Sequence, residues 1–383
     1  MAMTSTFERT ETEEQTGTGL FDADGHVMED VRAIAEKLDE PWRSMRLRHF
    51  ENDLFKLHGM SLFPPLGYLS TIPVNASPGF STRGPEETGL NPESWVHFLS
   101  SVGIERTVLY PTQGLTVGRI RDVDYAVALT RAWNDWMAET YIDHPSGLFQ
   151  SAALLPLQDP QAAAEELHRV VNDLGFHAAV LPAHGLVNHL GSPQYFPVYE
   201  AAQQLDVGLS VHGGVHDGFG FDDFNTFCAV HSLGFPFSLL ISLAGMVSNG
   251  VFETFPQLRV AYLEGGSAWI LLAAERFSES FGSAQPVPGR NKLSLAKGTS
   301  AKSYLQDLMQ SDRLVLGCEG GEDQLETAIE YFGCAPFMYS SDFPHEVSIV
   351  TCKHELEELN ELEISEDDKK LLRGGTARKF YRL

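Results

Sequence analysis

Short apolar runs recur along the chain, each closing on polar or glycine-rich residues and each followed by sequence with helical spacing. Eight runs carry the pattern: LFDADGH (20–26), RTVLYPT (106–112), FQSAALLPL (149–157), HAAVLPAH (177–184), VGLSVHGG (207–214), RVAYLEGG (259–266), RLVLGCEGG (313–321) and FMYSSDFPHE (337–346). Apolar runs without alternation suit parallel strands, because helices cover such strands on both faces. Helical patterns lie between them, at 123–141, 159–175 and 195–206. Eight strands alternating with helices predict an α/β fold, a (β/α)8 barrel. An open doubly wound sheet is the alternative, but its first strand usually ends in a glycine-rich phosphate turn. Here the first strand ends in acids and a histidine.

Two segments break the rhythm. Residues 40–100 are rich in proline, glycine and apolar side chains, a mixture that argues against both a long helix and a plain linker. They are read as a cap or pocket wall over the barrel mouth, with a dimer contact as the competing use. Residues 282–303 form a polar loop. Residues 1–18 are acidic and threonine-rich and are read as a disordered tail without a signal peptide, leaving 19–383 for the barrel. The apolar run 235–247 is too short to span a membrane and is read as a buried helix.

Composition narrows the partners. The 383 residues carry a formal net charge of −25, which repels nucleic acid and anionic membrane surfaces. Four cysteines without CxxC spacing fit a reduced, cytoplasmic chain.

In a barrel of this kind chemistry sits where the strands end. The ends deliver Asp24 and His26, His184, His212, Glu264, Glu319 and Asp342, with His345 and Glu346 just beyond. One such residue is easily a cap or a core histidine; six of eight strands ending alike is not. In an extended strand residues i and i+2 point the same way, so Asp24 and His26 can share the barrel axis, with Asp22 as a support. Imidazole mixed with carboxylate suits Zn, Mn or Fe. Glu29 is assigned to the turn beyond. The acidic stretch 354–370 reads as a solvated helix face, and Trp133 and Trp136 as core.

The stretches FDADGH, SVHGG, GVFETFPQLRVAYLEGG and SSDFPHE resemble the amidohydrolase superfamily, in the branch of aminocarboxymuconate semialdehyde decarboxylase. The resemblance runs from about residue 20 to the end and implies a TIM barrel. It also implies a metal held by Asp24, His26, His212 and Asp342, with Glu264 at the strand 6 position. Two departures stand out. Asp24 replaces the first histidine of an H-x-H pair, and Glu264 replaces the strand 6 histidine that acts on metal-bound water.

Three chemistries are open. Hydrolysis would use metal-activated water, with Asp342 or Glu264 taking the proton. Non-oxidative decarboxylation would use Zn or Mn, in a mononuclear or dinuclear site, to hold the substrate carboxylate. The third uses the surplus of candidate ligands, Asp24, His26, His184, His212, Glu264, Glu319, Asp342 and His345, for two Fe or an Fe/Mn pair that activates O2. The chain resembles a subgroup of dinuclear non-heme iron monooxygenases, and this is the leading expectation, with Glu264, Asp342 and His345 as catalytic groups. The expected partner is a small carboxylate-bearing substrate, paired with Arg83, Arg119 or Arg121. The expected assembly is a homodimer or a pair with a homologous subunit.

Overall fold

The computed structural model describes residues 19–49, 89, 91–284, 292–345 and 347–383. Eight strands, β1 (Leu20–Val27), β2 (Ile104–Pro111), β3 (Phe149–Leu154), β4 (Ala178–Pro182), β5 (Gly208–His212), β6 (Val260–Leu263), β7 (Leu314–Cys318) and β8 (Phe337–Tyr339), follow one another in chain order around one sheet. Every neighbouring pair is parallel. The sheet curls until its two ends meet. Asp342 N–H donates to Asp24 C=O at 2.9 Å and His26 N–H to Phe343 C=O at 2.7 Å, so backbone bonds join the first strand to the segment after the last. The result is the (β/α)8 TIM barrel expected from the eight runs.

The strands are shorter than the runs that announce them. In the eighth run the ladder stops at Tyr339, and residues from Ser340 onward leave the sheet to build the barrel mouth. The helices follow their patterns. Val123–Met137 continues into a π-helical turn, Ala138–Ile142. Pro160–Asp173 starts on Asp159, whose carboxylate accepts from Gln161 N–H and Ala162 N–H, with proline at the first position, where it costs no hydrogen bond. Phe196–Leu205 stops at Asp206, which adopts a left-handed φ of 51°.

Run 235–247 falls inside a 22-residue helix, Phe227–Ser248, long and apolar enough by length and composition to cross a membrane. The fold uses it as the helix after β5, with Leu239, Leu243, Met246 and Val247 turned into the core. The expectation of a buried helix holds for one face only. Leu233, Phe237 and Ile241, spaced four apart, face outward.

Of the excursion at 40–100, the structure shows the two ends as helices, Trp42–His49 and Pro92–Val102. The rest of the expected cap, like the tail at 1–18 and part of the loop at 282–303, lies outside the described residues. The second helix has a direct bearing on the site. Asn91 caps it, and Trp95 and Phe98 bury themselves against Phe343, the Phe98 ring stacking at a centroid distance of 3.7 Å. Gly25 has to be glycine because a Cβ there would run into Trp95.

Candidate metal centre

Six strand-end residues converge at the seam between β1 and the segment after β8. Asp24, His26 and His212 can each place a ligand atom within 4.8 Å of the others, and so can His26, Glu264, Asp342 and His345. Asp24, His26 and His212 are buried to within 1% of complete.

Backbone carbonyls decide how the imidazoles face. A carbonyl oxygen only accepts, so His26 Nδ1–H donates to Pro111 C=O at 3.0 Å and His212 Nδ1–H to Gly213 C=O at 2.6 Å. Both Nε2 atoms are therefore left as lone pairs. They point at the same oxygen: Asp24 Oδ1 lies 3.6 Å from His26 Nε2 and 3.4 Å from His212 Nε2, and none of the three atoms has a hydrogen-bond partner among the described residues. His26 Nε2 is also 3.4 Å from Asp342 Oδ1. Burial, with His345 and His212 nearby, holds the His26 pKa well below its usual value, which favours the neutral form that ligates metals. Burial pushes the Asp24 carboxyl up, opposed by His212. Lone pairs and carboxylate oxygens facing one another at these distances repel unless a metal cation or a proton lies among them.

Three further devices hold the groups in place. Asp22 is fully buried, and each of its oxygens accepts twice. Oδ1 takes Ser341 N–H at 2.8 Å and Asp24 N–H at 3.3 Å, while Oδ2 takes the Thr107 hydroxyl at 2.7 Å and the Ser341 hydroxyl at 3.0 Å. Burial raises its pKa to about 6. Below His212, the Tyr110 ring stacks at 5.6 Å while its hydroxyl meets Ser210 at 2.6 Å and Tyr381 at 2.7 Å. Finally, Glu264 and Asp342 adopt positive φ, 64° and 52°, a region that costs most non-glycine residues energy and that clusters at functional sites.

Glu264 Oε2 lies 3.2 Å from His212 Nδ1, farther than the Gly213 carbonyl that takes the proton. His345 bridges two loops, with Nδ1 2.9 Å from Asp342 Oδ1 and Nε2 3.0 Å from Thr112 Oγ1. Its ring lies 4.2 Å from that of His26.

Two of the expected ligands stand apart. His184 Nε2 lies 3.1 Å from Asp217 C=O, its ring rests on Phe219, and the Asp217 carboxylate is claimed by Arg119, so the loop after β5 draws this histidine away. Glu319 sits behind Asp342 in a cavity of about 10 Å³, shared with Glu264, Glu322 and Ser340. Burial and the Asp342 charge push its carboxyl well above the usual range. Glu346 and Arg83 lie outside the described residues.

Glu29, which the sequence assigns to a turn, is a structural hub. Its carboxylate accepts from the N–H groups of Thr112 at 3.0 Å, Gln113 at 3.0 Å and Gly114 at 2.9 Å, and so fixes the loop that brings Thr112 to His345. Nothing in the spacing of Glu29 or Thr112 announces this, because the contact joins positions more than eighty residues apart.

The family model described as amidohydrolase matches residues 108–383, well over half of the chain. The chain belongs to the amidohydrolase family. Among curated proteins, this amidohydrolase is 25% identical over 311 residues to a gamma-resorcylate decarboxylase of Polaromonas sp. strain JS666, covering 75% of this chain and 86% of the relative. It is 23% identical over 207 residues to the 2-amino-3-carboxymuconate-6-semialdehyde decarboxylase of Dictyostelium discoideum, covering 51% of this chain and 56% of the relative. Among solved structures, 5-carboxyvanillate decarboxylase of Novosphingobium aromaticivorans with bound manganese superposes with a TM-score of 0.69 at 17% identity, covering 97% of this chain and 99% of that one.

These relatives correct the leading functional expectation. Each is a decarboxylase, and none is an oxygenase. The dinuclear iron monooxygenase inferred from surplus ligands is therefore set aside, and with it the assignment of two Fe.

Proposed function

We propose that this protein is a divalent-metal-dependent, non-oxidative decarboxylase of a hydroxylated aromatic carboxylate. One observation carries the reading: two imidazoles, each with its Nδ1–H spent on a backbone carbonyl, turn their Nε2 atoms on one buried carboxylate oxygen that has no hydrogen-bond partner among the described residues. The substrate class follows two of the relatives, whose names specify resorcylate and carboxyvanillate, both hydroxylated aromatic acids.

Asp24, His26, His212 and Asp342 would hold the ion, which supplies a Lewis acid for the substrate's oxygens. The chain's own residues handle the proton. Decarboxylation exchanges the carbon–carboxylate bond for a carbon–hydrogen bond, so one proton must reach the carbon that loses CO2. Glu264 is placed to deliver it, beside His212 and only partly exposed, at the position where the family resemblance puts a histidine. His345, held between Asp342 and Thr112, orients the Asp342 carboxylate. The buried surroundings keep water from competing for the proton.

The test is release of CO2 from 2,6-dihydroxybenzoate and 5-carboxyvanillate by Mn2+-loaded protein, with metal content measured in parallel. His212→Ala is expected to lose metal and turnover together. Glu264→Gln is expected to keep its metal and lose turnover by at least about a hundredfold, as expected for a lost general acid. Loss of metal in Glu264→Gln would make Glu264 a ligand and overturn its assigned role. Hydrolysis of an amide or ester without CO2 release would overturn the reaction itself.

A further inference from the structure

The helix after β5, Phe227–Ser248, breaks the usual pattern of an outer barrel helix, whose solvent side is polar. None of its 22 residues is Asp, Glu, Lys or Arg, in a chain where 21% are. Leu233, Phe237 and Ile241, 36%, 44% and 37% exposed, lie four residues apart in one outward stripe. Half-buried Leu240 and Ala244 fill the same side. Helix Ala268–Ser283 packs beside it and adds Leu272, which is 46% exposed. Four of the nine large apolar side chains exposed among the described residues thus gather on two adjoining helices.

Charge selects what covers this face. A cationic partner would be met by acids, and the stripe carries none, although the chain has 52 acidic residues against 27 basic ones. A second copy asks for the opposite. In a two-fold contact a patch meets itself, so any charge on it would face its like, and in a chain of net charge −25 only an uncharged patch escapes that repulsion. The area agrees. A fully open large side chain shows about 200 Å², so the six residues together offer about 400 Å² per copy. Two copies would bury about 800 Å² of apolar surface, the roughly 65% share carried by a homodimer interface of about 1,200 Å². The spacing is symmetric as well, with Leu233 and Ile241 each four residues from Phe237.

From these observations we infer that this face joins two copies of the chain in a two-fold dimer. The two Phe227–Ser248 helices pair antiparallel, the direction their dipoles favour, with Phe237 against its counterpart at the axis. Leu233 of each copy then lies against Ile241 of the other. The inference does not depend on the decarboxylase reading.

Sedimentation velocity of the full chain in reducing buffer, from about 1 to 50 µM, tests it. A dimer is expected, dissociating at micromolar concentrations or below, as suits an interface near the small end of stable ones. Phe237→Asp sets two like charges together at the axis and is expected to weaken the dimer at least about a hundredfold. Cross-linking checks the geometry without disturbing the fold. In a Cys228→Ser background, which removes the exposed native thiol, Phe237→Cys is expected to form a covalent dimer on mild oxidation. Leu233→Cys is not, because its counterpart lies away from the axis. A monomer at every concentration, a dimer unmoved by Phe237→Asp, or equal cross-linking at both positions would overturn the inference. A monomer that instead binds phosphatidylcholine vesicles would give the face to a membrane and overturn it equally.

Discussion

Replacing Asp22 tests whether the candidate metal centre depends on a buried carboxylate whose two oxygens are taken up by protein donors. Asp22→Ala strands four donors: two hydroxyls, from Thr107 and Ser341, and two backbone N–H groups, of Asp24 and Ser341. The hydroxyls can rotate toward other acceptors; the N–H groups cannot. Leaving two buried N–H groups unmet costs about 1–3 kcal/mol each, so the change should destabilise the protein by about 2–6 kcal/mol. That is a large share of the roughly 5–15 kcal/mol that holds a typical domain together. Asp22→Asn behaves differently because the oxygens divide by donor type. With its amide nitrogen at the Oδ2 position, it meets two hydroxyls that can reverse and accept, while its oxygen still serves both N–H groups. Its cost should stay under about 1 kcal/mol. Because Ser341 N–H and Asp24 N–H belong to the segments carrying Asp342 and Asp24, the alanine variant should also bind Mn2+ about 10–100-fold more weakly, and the asparagine variant nearly normally. Urea unfolding of the metal-free protein and chelator competition for Mn2+ measure the two quantities. Equal losses in both variants would refute the reasoning, since they would mean that charge rather than the pattern of acceptors holds the site.

Other outcomes follow from neighbouring features. Glu29→Ala should leave metal content unchanged but lower kcat, by freeing the loop that carries Thr112 to His345; loss of metal instead would place Glu29 nearer the ion than its three N–H contacts allow. Burial and the nearby Asp342 and Glu358 charges raise the Glu355 pKa from 4.5 to about 7. The folded state thus binds this proton more tightly than the unfolded one, so stability from Glu355 falls as pH rises between those values. Glu355→Gln should remove that fall and be more stable than the parent at pH about 8, by on the order of 2 kcal/mol; an unchanged pH–stability profile would contradict it. A Cβ at Gly191 would collide with the Gly245 carbonyl oxygen, a backbone atom that cannot step aside. Gly191→Ala should therefore cost about 1–3 kcal/mol in urea unfolding, and a neutral result would show that the loop after β4 can shift.

Much of this arrangement is written locally. Each of the eight strands is an apolar run of its own, and the chain order of the runs is the order of the strands around the barrel. Parallel strands joined through helices leave little freedom in how they succeed one another. Asp24, His26, His212, Glu264 and Asp342 were legible for the same reason: a strand end in a barrel is a place in space as well as in sequence.

What the sequence could not decide depended on contacts between distant segments. His184 ends a strand like its neighbours, yet the loop after β5 supplies Asp217 and Phe219 and holds the ring away from the cluster. Glu319 has a ligand's chemistry, but burial and the charge of Asp342, neither visible in its spacing, push its carboxyl well above the usual range. Glu29 looked like part of a turn until the β2 loop folded onto it. The imidazoles turned their Nε2 atoms toward Asp24 only when Pro111 and Gly213 carbonyls took their Nδ1 protons. Spacing along a chain determines which way a side chain leaves its strand. Burial, charge and the partner that claims each lone pair belong to the assembled barrel, and only the tertiary structure decided them.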